Sequence, residues 1–350
     1  MKLIKITIIN LSIFLISFLV IEILFGYWFS KDNFGAYMRE HRLKKVNYNL
    51  TYNNKQHDYN YERNFYGFRG SHVEPKDISA MIIGGSTTDE RYKPENYTIT
   101  GYLNLKLKTY GNKLTITNAG IEGQSTRGHI VNFEKWFPKL KNFKPKIVIF
   151  YIGINDTLAN MNIKERDIFT DGHILNPDKK EVFYDNLKSS SIFYNLLRKT
   201  KHKYYNKKTS LIYDFDLGSK NYISEDEYKF LNYESALSKY NIKNLKKINK
   251  DRINYFLNNV DKLYLESKAL GSDPIFINQV ISKGAYDKTL FTINLSLIEH
   301  CKKMNYNCID LQKKLKGQRD YWWDGIHTTP KGSQKIAELI FPDLLSFFEK

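Results

Sequence analysis

Cysteine is nearly absent: only Cys301 and Cys308 occur. That excludes a cysteine-rich zinc module and a multi-disulfide scaffold. The pair is open to two readings, one local disulfide in an exported domain or two small buried thiols. Acidic residues are also scarce, 37 against 54 Lys and Arg, which leaves a net charge of +17. No nucleic-acid-binding motif accompanies that excess, and Lys, Asn, Tyr and Ile are abundant everywhere. The composition therefore reads as a general bias, not a nucleic-acid footprint. A basic surface facing anionic lipid or acidic glycan is the expectation. Apolar residues are not lacking, at 42% with 15% aromatic, so a large core is available and wholesale disorder is excluded.

One apolar run stands apart. Ile6 to Phe29 is interrupted only by Asn10, a few hydroxyls, Glu22 and Gly26. A bilayer core needs about 20 such residues in a helix. Lys2 and Lys5 precede the run, Tyr27 and Trp28 close it and Lys31 follows, as interfacial anchors should. A cleaved signal would be shorter and would end in a small-x-small site. Tyr27-Trp28-Phe29-Ser30 is a poor one. Residues 1–30 therefore read as an uncleaved transmembrane anchor, with the domain behind it exported to the periplasmic or extracellular side. Glu22 is costly in lipid and must either snorkel or find a partner.

Residues 31–76 are polar and aromatic without a strong period, and read as a connector packing on the domain. From 77 to 350, apolar strand-like runs alternate with amphipathic stretches. Strands are expected at Ile78–Ile83, Leu114–Thr117, Lys146–Ile152, Pro274–Val280 and Cys308–Leu311. Helices are expected at Tyr97–Lys108, Arg127–Leu140, Thr289–Met304 and from Pro330. Short apolar runs joined by helical crossovers mean a parallel sheet covered on both faces. Such open sheets hold their sites at the carboxyl ends of the strands. An insertion at about 157–246 breaks the pattern, and a loop that long is usually a lid, a subdomain or a partner surface. Within it, Ser191–Lys208 puts Ile192, Phe193, Leu196 and Leu197 on one helical face. Arg198, Lys199, Lys201, Lys203, Lys207 and Lys208 follow without an acid. Such a stretch lies on a bilayer surface, caps a cleft or is an ordinary solvated helix end.

Four short motifs fall at strand ends. Ile83-Gly84-Gly85-Ser86-Thr87-Thr88 follows the first strand. Its glycines permit a sharp strand-to-helix turn that would lift the Ser86 hydroxyl to the sheet edge, near a helix N-terminus. It lacks the Gly-Lys-Ser/Thr end of a phosphate-binding loop and the Gly-x-Ser-x-Gly elbow. Asn118 to Ser125 follows the second strand, where Gly120 or Gly123 can bring a bare N–H close to a ligand. Asn155 and Asp156 close the third strand; the Asn amide can point into a site, or either residue can cap a helix. Trp323-Asp324-Gly325-Ile326-His327-Thr328 precedes the last helix. A carboxylate three residues ahead of a His can hold one imidazole nitrogen while the other faces a hydroxyl, the arrangement that activates a serine. The other seven His lack such company in sequence. Asp171-Gly172-His173 imitates the pattern with the wrong spacing and is set aside as a decoy.

Taken together and in this order, the motifs resemble the SGNH hydrolase family over about Asn64 to Phe348, less the insertion. Asn64-Phe65-Tyr66-Gly67-Phe68-Arg69-Gly70 also resembles the N-x-x-G-F-R-G lead-in of membrane-anchored bacterial members. The resemblance implies a three-layer α/β/α flavodoxin-like domain with a parallel sheet in strand order 2-1-3-4-5. It implies Ser86 as nucleophile, Asp324 and His327 as its base pair, and an oxyanion hole of the Ser86 N–H, Gly123 and Asn155. It implies acyl-ester hydrolysis with no metal or cofactor, on O-acyl groups of surface glycans or lipids. Gly84-Gly85-Ser86-Thr87 replaces the family's Gly-Asp-Ser-Leu and marks a divergent member. Asn278-Gln279-Val280 is the expected place of one further family block. An O-acyltransferase with the same triad, and a non-catalytic envelope polysaccharide binder, are the competing expectations. The aromatic run Tyr321-Trp322-Trp323 is expected to pack on the core, with sugar stacking as the alternative. Asn155-Asp156-Thr157 is a glycosylation sequon; a glycan there would block the site, which favours a bacterial setting.

Overall fold

A computed structural model describes residues 2–29, 38, 44–52, 55–70, 73–111, 114–158, 179–197, 200, 213–219 and 222–349. The chain forms two compact units, Met1–Glu40 with Asn176–Tyr213, and His41–Leu175 with Asp214–Lys350.

In the first unit, helix α1 spans Lys2–Phe25. Its stretch Ile4–Phe25 is long and apolar enough to cross a membrane. Glu22 is paired within this unit, and only 8% of its surface is exposed.

The second unit begins with a hairpin, β1 Lys44–Tyr52 and β2 Lys55–Arg63, antiparallel with Val46 opposite Tyr61 and Tyr48 opposite Tyr59. The missed signal was the alternation Val46, Tyr48, Leu50, all buried, with polar residues between. Next come β3 Ala80–Gly84, α2 Ser86–Asp89, α3 Ile99–Thr109, β4 Ile116–Asn118, α4 Thr126–Lys135 and β5 Ile147–Ile152. Helix α5, Lys179–Ser190, belongs to the first unit. Strand β6, Tyr213–Ser219, extends the hairpin into a three-stranded sheet in the order β2-β1-β6. After it come α6 Tyr233–Lys239, α7 Ile242–Ile248, α8 Lys250–Ala269, β7 Asp273–Asn278, α9 Lys288–Met304, β8 Asn307–Ile309, α10 Leu311–Lys314 and α11 Pro330–Phe348.

The main sheet is five-stranded and parallel, in the order β4-β3-β5-β7-β8. Counting its strands in chain order, that is the expected 2-1-3-4-5. Its three central strands are apolar and buried on both faces, which suits helical cover on each side. Alternate residues choose the face. Ala80, Ile82, Ile147, Ile149, Ile275 and Ile277 pack with Leu103 of α3 and Ile336 and Ile340 of α11. On the other face Phe150 stacks on Phe276, with ring centroids 5.1 Å apart, and meets Phe133 of α4.

Local chemistry sets the helix ends. Thr98 caps α3, Asp287 caps α9 and Thr329 caps α11, each accepting a backbone N–H of the first turn. The helix expected over Arg127–Leu140 stops at Lys135, because Pro138 has no N–H to continue it and a 3-10 turn follows. The strand expected to reach Leu311 ends at Ile309, because Asp310 accepts the Lys313 N–H and caps α10. Cys301 and Cys308 form a disulfide between α9 and β8.

Candidate active site

Register brings the motifs to one edge. Gly84 pairs with Tyr151, Ile152 with Asn278 and Ile82 with Asn118, so β3, β5 and β7 end within a residue of one another and β4 two residues short of β3. The residues just beyond those ends share that edge.

Ser86 is the first residue of α2, directly after β3. Gly85 before it is required by space. A Cβ there would lie 2.4 Å from Asn155 Nδ2 and 3.2 Å from the Gln124 carbonyl oxygen. The amide of Asn155 therefore rests against the serine turn itself. Because α2 has only four residues, the expected contribution from a helix dipole is small, and discrete N–H donors matter instead.

His327 Nε2 lies 3.0 Å from Ser86 Oγ, and His327 Nδ1 lies 2.9 Å from Asp324 Oδ2. A carboxylate only accepts, so Nδ1 carries the proton and Nε2 is left to accept from the Ser86 hydroxyl. The other Asp324 oxygen accepts the backbone N–H groups of Ile326 and His327, both at 2.7 Å. Burial raises the Asp324 carboxyl, but the hydrogen bonds and charge of His327 and the Ile326 N–H outweigh it and bring the pKa down to about 2. The loop is pinned at its turn by Ser282, whose N–H and hydroxyl both reach the Gly325 carbonyl.

Asn155 donates to the Gln124 carbonyl at 2.8 Å, which orients its amide. Gln124 is itself locked by Asn132 and His129. Gly123 sits in the left-handed region with φ +82°, where a side chain would be strained. Gly120 serves packing instead. A Cβ there would lie 2.5 Å from the Asp89 nitrogen, so the bare glycine lets this loop close on α2. Asp156 accepts from the backbone and hydroxyl of Thr126 and so caps α4 across the sheet edge. Gln279 gives the ill-defined family block a role. It donates to Thr87 Oγ1 and the Tyr151 carbonyl and accepts the Ile154 N–H, bracing the neighbours of Ser86 and Asn155 together.

A buried charged frame surrounds these groups, and motif reading missed most of it. Arg63 donates to Asp89 Oδ1 at 2.8 Å, to the Gly120 carbonyl at 2.7 Å and to the Gly67 carbonyl at 2.6 Å. Arg69 of the lead-in motif donates to the carbonyls of Asp89 and Lys93 and to Glu95. Lys93 is fully buried. Its ammonium meets the Glu90 carboxylate, the Thr328 carbonyl and hydroxyl, and the Ser333 hydroxyl. Burial pushes its pKa down, against the pull of Glu90. Lys93 thus ties the segment after Ser86 to the residue after His327. Only Arg69 carried a sequence signal, its place in the lead-in.

A small pocket opens beside the serine between Arg91, Tyr92, Glu122, Trp323 and His327. Arg91 pairs with Glu122 across it. Tyr321 and Trp322 pack in the core, while Trp323, also largely buried, lines this pocket. His300 does have a carboxylate partner, Asp261 at 2.7 Å, hidden from the sequence by 39 residues of separation. It lines a lysine-bordered groove on α7–α9, away from Ser86. His173 lies outside the described residues.

The family described as GDSL-like Lipase/Acylhydrolase matches residues 80–340. The chain belongs to that family, and with it is an SGNH-type serine ester hydrolase. No curated protein matches it in sequence. Solved structures similar to it include the psychrotrophic esterase EstA from Pseudoalteromonas sp., at 11% identity, 78% of this chain, 100% of that chain and TM-score 0.43. Another is the acetylxylan esterase Axe2 from Geobacillus stearothermophilus, at 15% identity, 78% of this chain, 96% of that chain and TM-score 0.43. A third is a lipolytic protein of the G-D-S-L family from Veillonella parvula, at 12% identity, 75% of this chain, 96% of that chain and TM-score 0.42.

Proposed function

We propose that the chain hydrolyses acyl esters through a covalent acyl-enzyme on Ser86. The observation that carries this reading is the unbroken line Ser86 Oγ–His327 Nε2–Asp324, with contacts of 3.0 and 2.9 Å. His327 takes the Ser86 proton as Oγ bonds to the ester carbonyl carbon. The oxyanion is met by the Ser86 and Gly123 N–H groups and the Asn155 amide. One such donor contributes about 3 kcal/mol in acyl-transfer enzymes. The carbon–alkoxide bond then breaks, and His327 returns its proton to the leaving alcohol. Water, deprotonated by the same imidazole, frees the carboxylic acid and restores the serine. Asp324 holds the ring in the required tautomer throughout.

The substrate class we infer is O-acyl groups on cell-surface glycans or lipids, with residues 1–30 as a single-pass anchor and the catalytic domain outside the cytoplasm. The apolar helix Ile4–Phe25 supports the anchor. The Cys301–Cys308 disulfide supports an oxidising compartment. Residues 77–350 form the hydrolase domain in this reading, with 31–76 packing on it and 157–246 inserted in it. The full chain in detergent should hydrolyse p-nitrophenyl acetate and take up one fluorophosphonate, and Ser86→Ala should abolish both. Turnover that survives Ser86→Ala would remove Ser86 from the nucleophile's role.

A further inference from the structure

Glu22 poses a physical problem that the active site does not touch. It lies three residues before the end of the apolar span Ile4–Phe25, so about 5 Å of helix separates it from that end. In a membrane, that is the level of the acyl–headgroup boundary. An unpaired carboxylate there is costly. Glu22 is not unpaired. It accepts from Ser191 Oγ at 2.5 Å, from the backbone N–H groups of Ile192 at 3.0 Å and Phe193 at 3.3 Å, and from Trp28 Nε1 at 3.1 Å. The Tyr27 N–H donates to the Ser190 carbonyl at 2.7 Å, and Phe18 stacks on Phe193 with centroids 4.1 Å apart. The end of α5 and the helical turn 192–197 are therefore latched to the last two turns of the apolar helix and the residues just after it.

Beside the latch, large apolar side chains stand exposed among the polar ones of α5. Phe183 and Tyr184 of α5 are exposed, as are Leu196 and Leu197, the last by 70%. Immediately afterwards the sequence runs through Arg198, Lys199, Lys201, Lys203, Lys207 and Lys208 without an acid. Exposed aromatics and leucines, followed by unbroken positive charge and continuous with a membrane helix, match the interfacial zone of an anionic bilayer.

We propose that residues 179–197 are a second membrane attachment, lying in the acyl–headgroup boundary of a bilayer containing anionic lipid, with Glu22 as the latch that holds them there. This rests on the reading of α1 as a membrane anchor. The insertion then serves, in this part, to bind lipid.

The test uses the full chain in phosphatidylcholine/phosphatidylglycerol vesicles. The native cysteines are joined to each other, so Leu197→Cys supplies one site for an environment-sensitive fluorophore. Leu237→Cys, an exposed leucine of α6, is the reference. We expect spin-labelled lipid to quench the probe at 197 several-fold more than at 237, and aqueous iodide to quench it several-fold less. Glu22→Leu should bring 197 towards the reference, while Glu22→Gln, which keeps an acceptor, should retain part of the effect. A carbonate wash tests the anchor separately: if it strips the chain from the vesicles, the anchor reading has failed. If the chain stays while iodide reaches 197 and lipid does not, the interfacial proposal alone is overturned. Quenching by neither would mean protein covers the segment, and would overturn it as well.

Discussion

Lys93→Met breaks the link between the serine turn and the histidine loop, and its consequences can be worked from the contacts. Both Lys93 and Glu90 have side chains only 2% exposed. Removing one member of a buried pair strands the other and costs about 3–5 kcal/mol. Glu90 would keep the Ser333 hydroxyl at 2.6 Å, the Ile99 N–H at 2.5 Å and the Thr328 hydroxyl at 3.3 Å. Those bonds place the expected loss near the lower end, about 3 kcal/mol. The Thr328 carbonyl also loses its Lys93 donor, and Thr328 follows His327 in the chain. Because a misplacement of about 1 Å costs on the order of 100-fold in rate, kcat should fall about 10- to 100-fold. Denaturant unfolding followed by tryptophan fluorescence, with p-nitrophenyl acetate kinetics beside it, reads both effects. Lys93→Met with Glu90→Gln strands no charge and should recover most of the stability but not the rate. A loss below about 1 kcal/mol for the single variant, or a double variant as unstable as the sum of its parts, would refute the reasoning.

Three further variants follow from the geometry. Asp324 is held at about 2, against 3.8 for an ordinary aspartate. Above about pH 5 it is ionised folded or unfolded; between about 5 and 2 the unfolded chain takes the proton first, so stability falls as pH drops. Acid unfolding of Asp324→Asn should lack that component, and an unchanged profile would count against it. The same variant should lose about 10⁴-fold in kcat, as expected when a triad histidine is left in the wrong tautomer. Gly85→Ala places a methyl 2.4 Å from Asn155 Nδ2. It should lower kcat by about 10²- to 10³-fold, the scale of losing one oxyanion donor, with fluorophosphonate labelling slowed in step. Arg69→Lys cannot span the carbonyls of Asp89 and Lys93 and the carboxylate of Glu95 with one ammonium. It should unfold at lower denaturant than the parent chain, and an unshifted midpoint would show that the arginine fork is dispensable.

The five core strands were legible because each is a short apolar run with helical periodicity on either side. Their boundaries moved where one residue overruled the pattern: Pro138 ended a helix early, and Asp310 turned the end of a strand into a cap. The hairpin β1–β2 escaped notice although its alternation was present, because tyrosine takes the place of aliphatic residues on the inward face. His300 was passed over as lacking a partner, because Asp261 is adjacent only once α8 and α9 pack.

The candidate triad was readable as types and spacing. A serine after paired glycines at a strand end, and a carboxylate three residues before a histidine, are local relations that survive without coordinates. Local relations could not reveal that Lys93 reaches Thr328, that Gln279 braces Thr87 against Ile154, or that Glu22 is met by Ser191. By itself the sequence determined which strands form the main sheet, that this sheet is parallel, and which hydroxyl, imidazole and carboxylate were worth watching. Only the tertiary structure decided which buried charges hold them in place. Such a charge is tolerated wherever the fold delivers partners, and for Lys93 these include Thr328 and Ser333, more than two hundred residues away, which no periodicity connects.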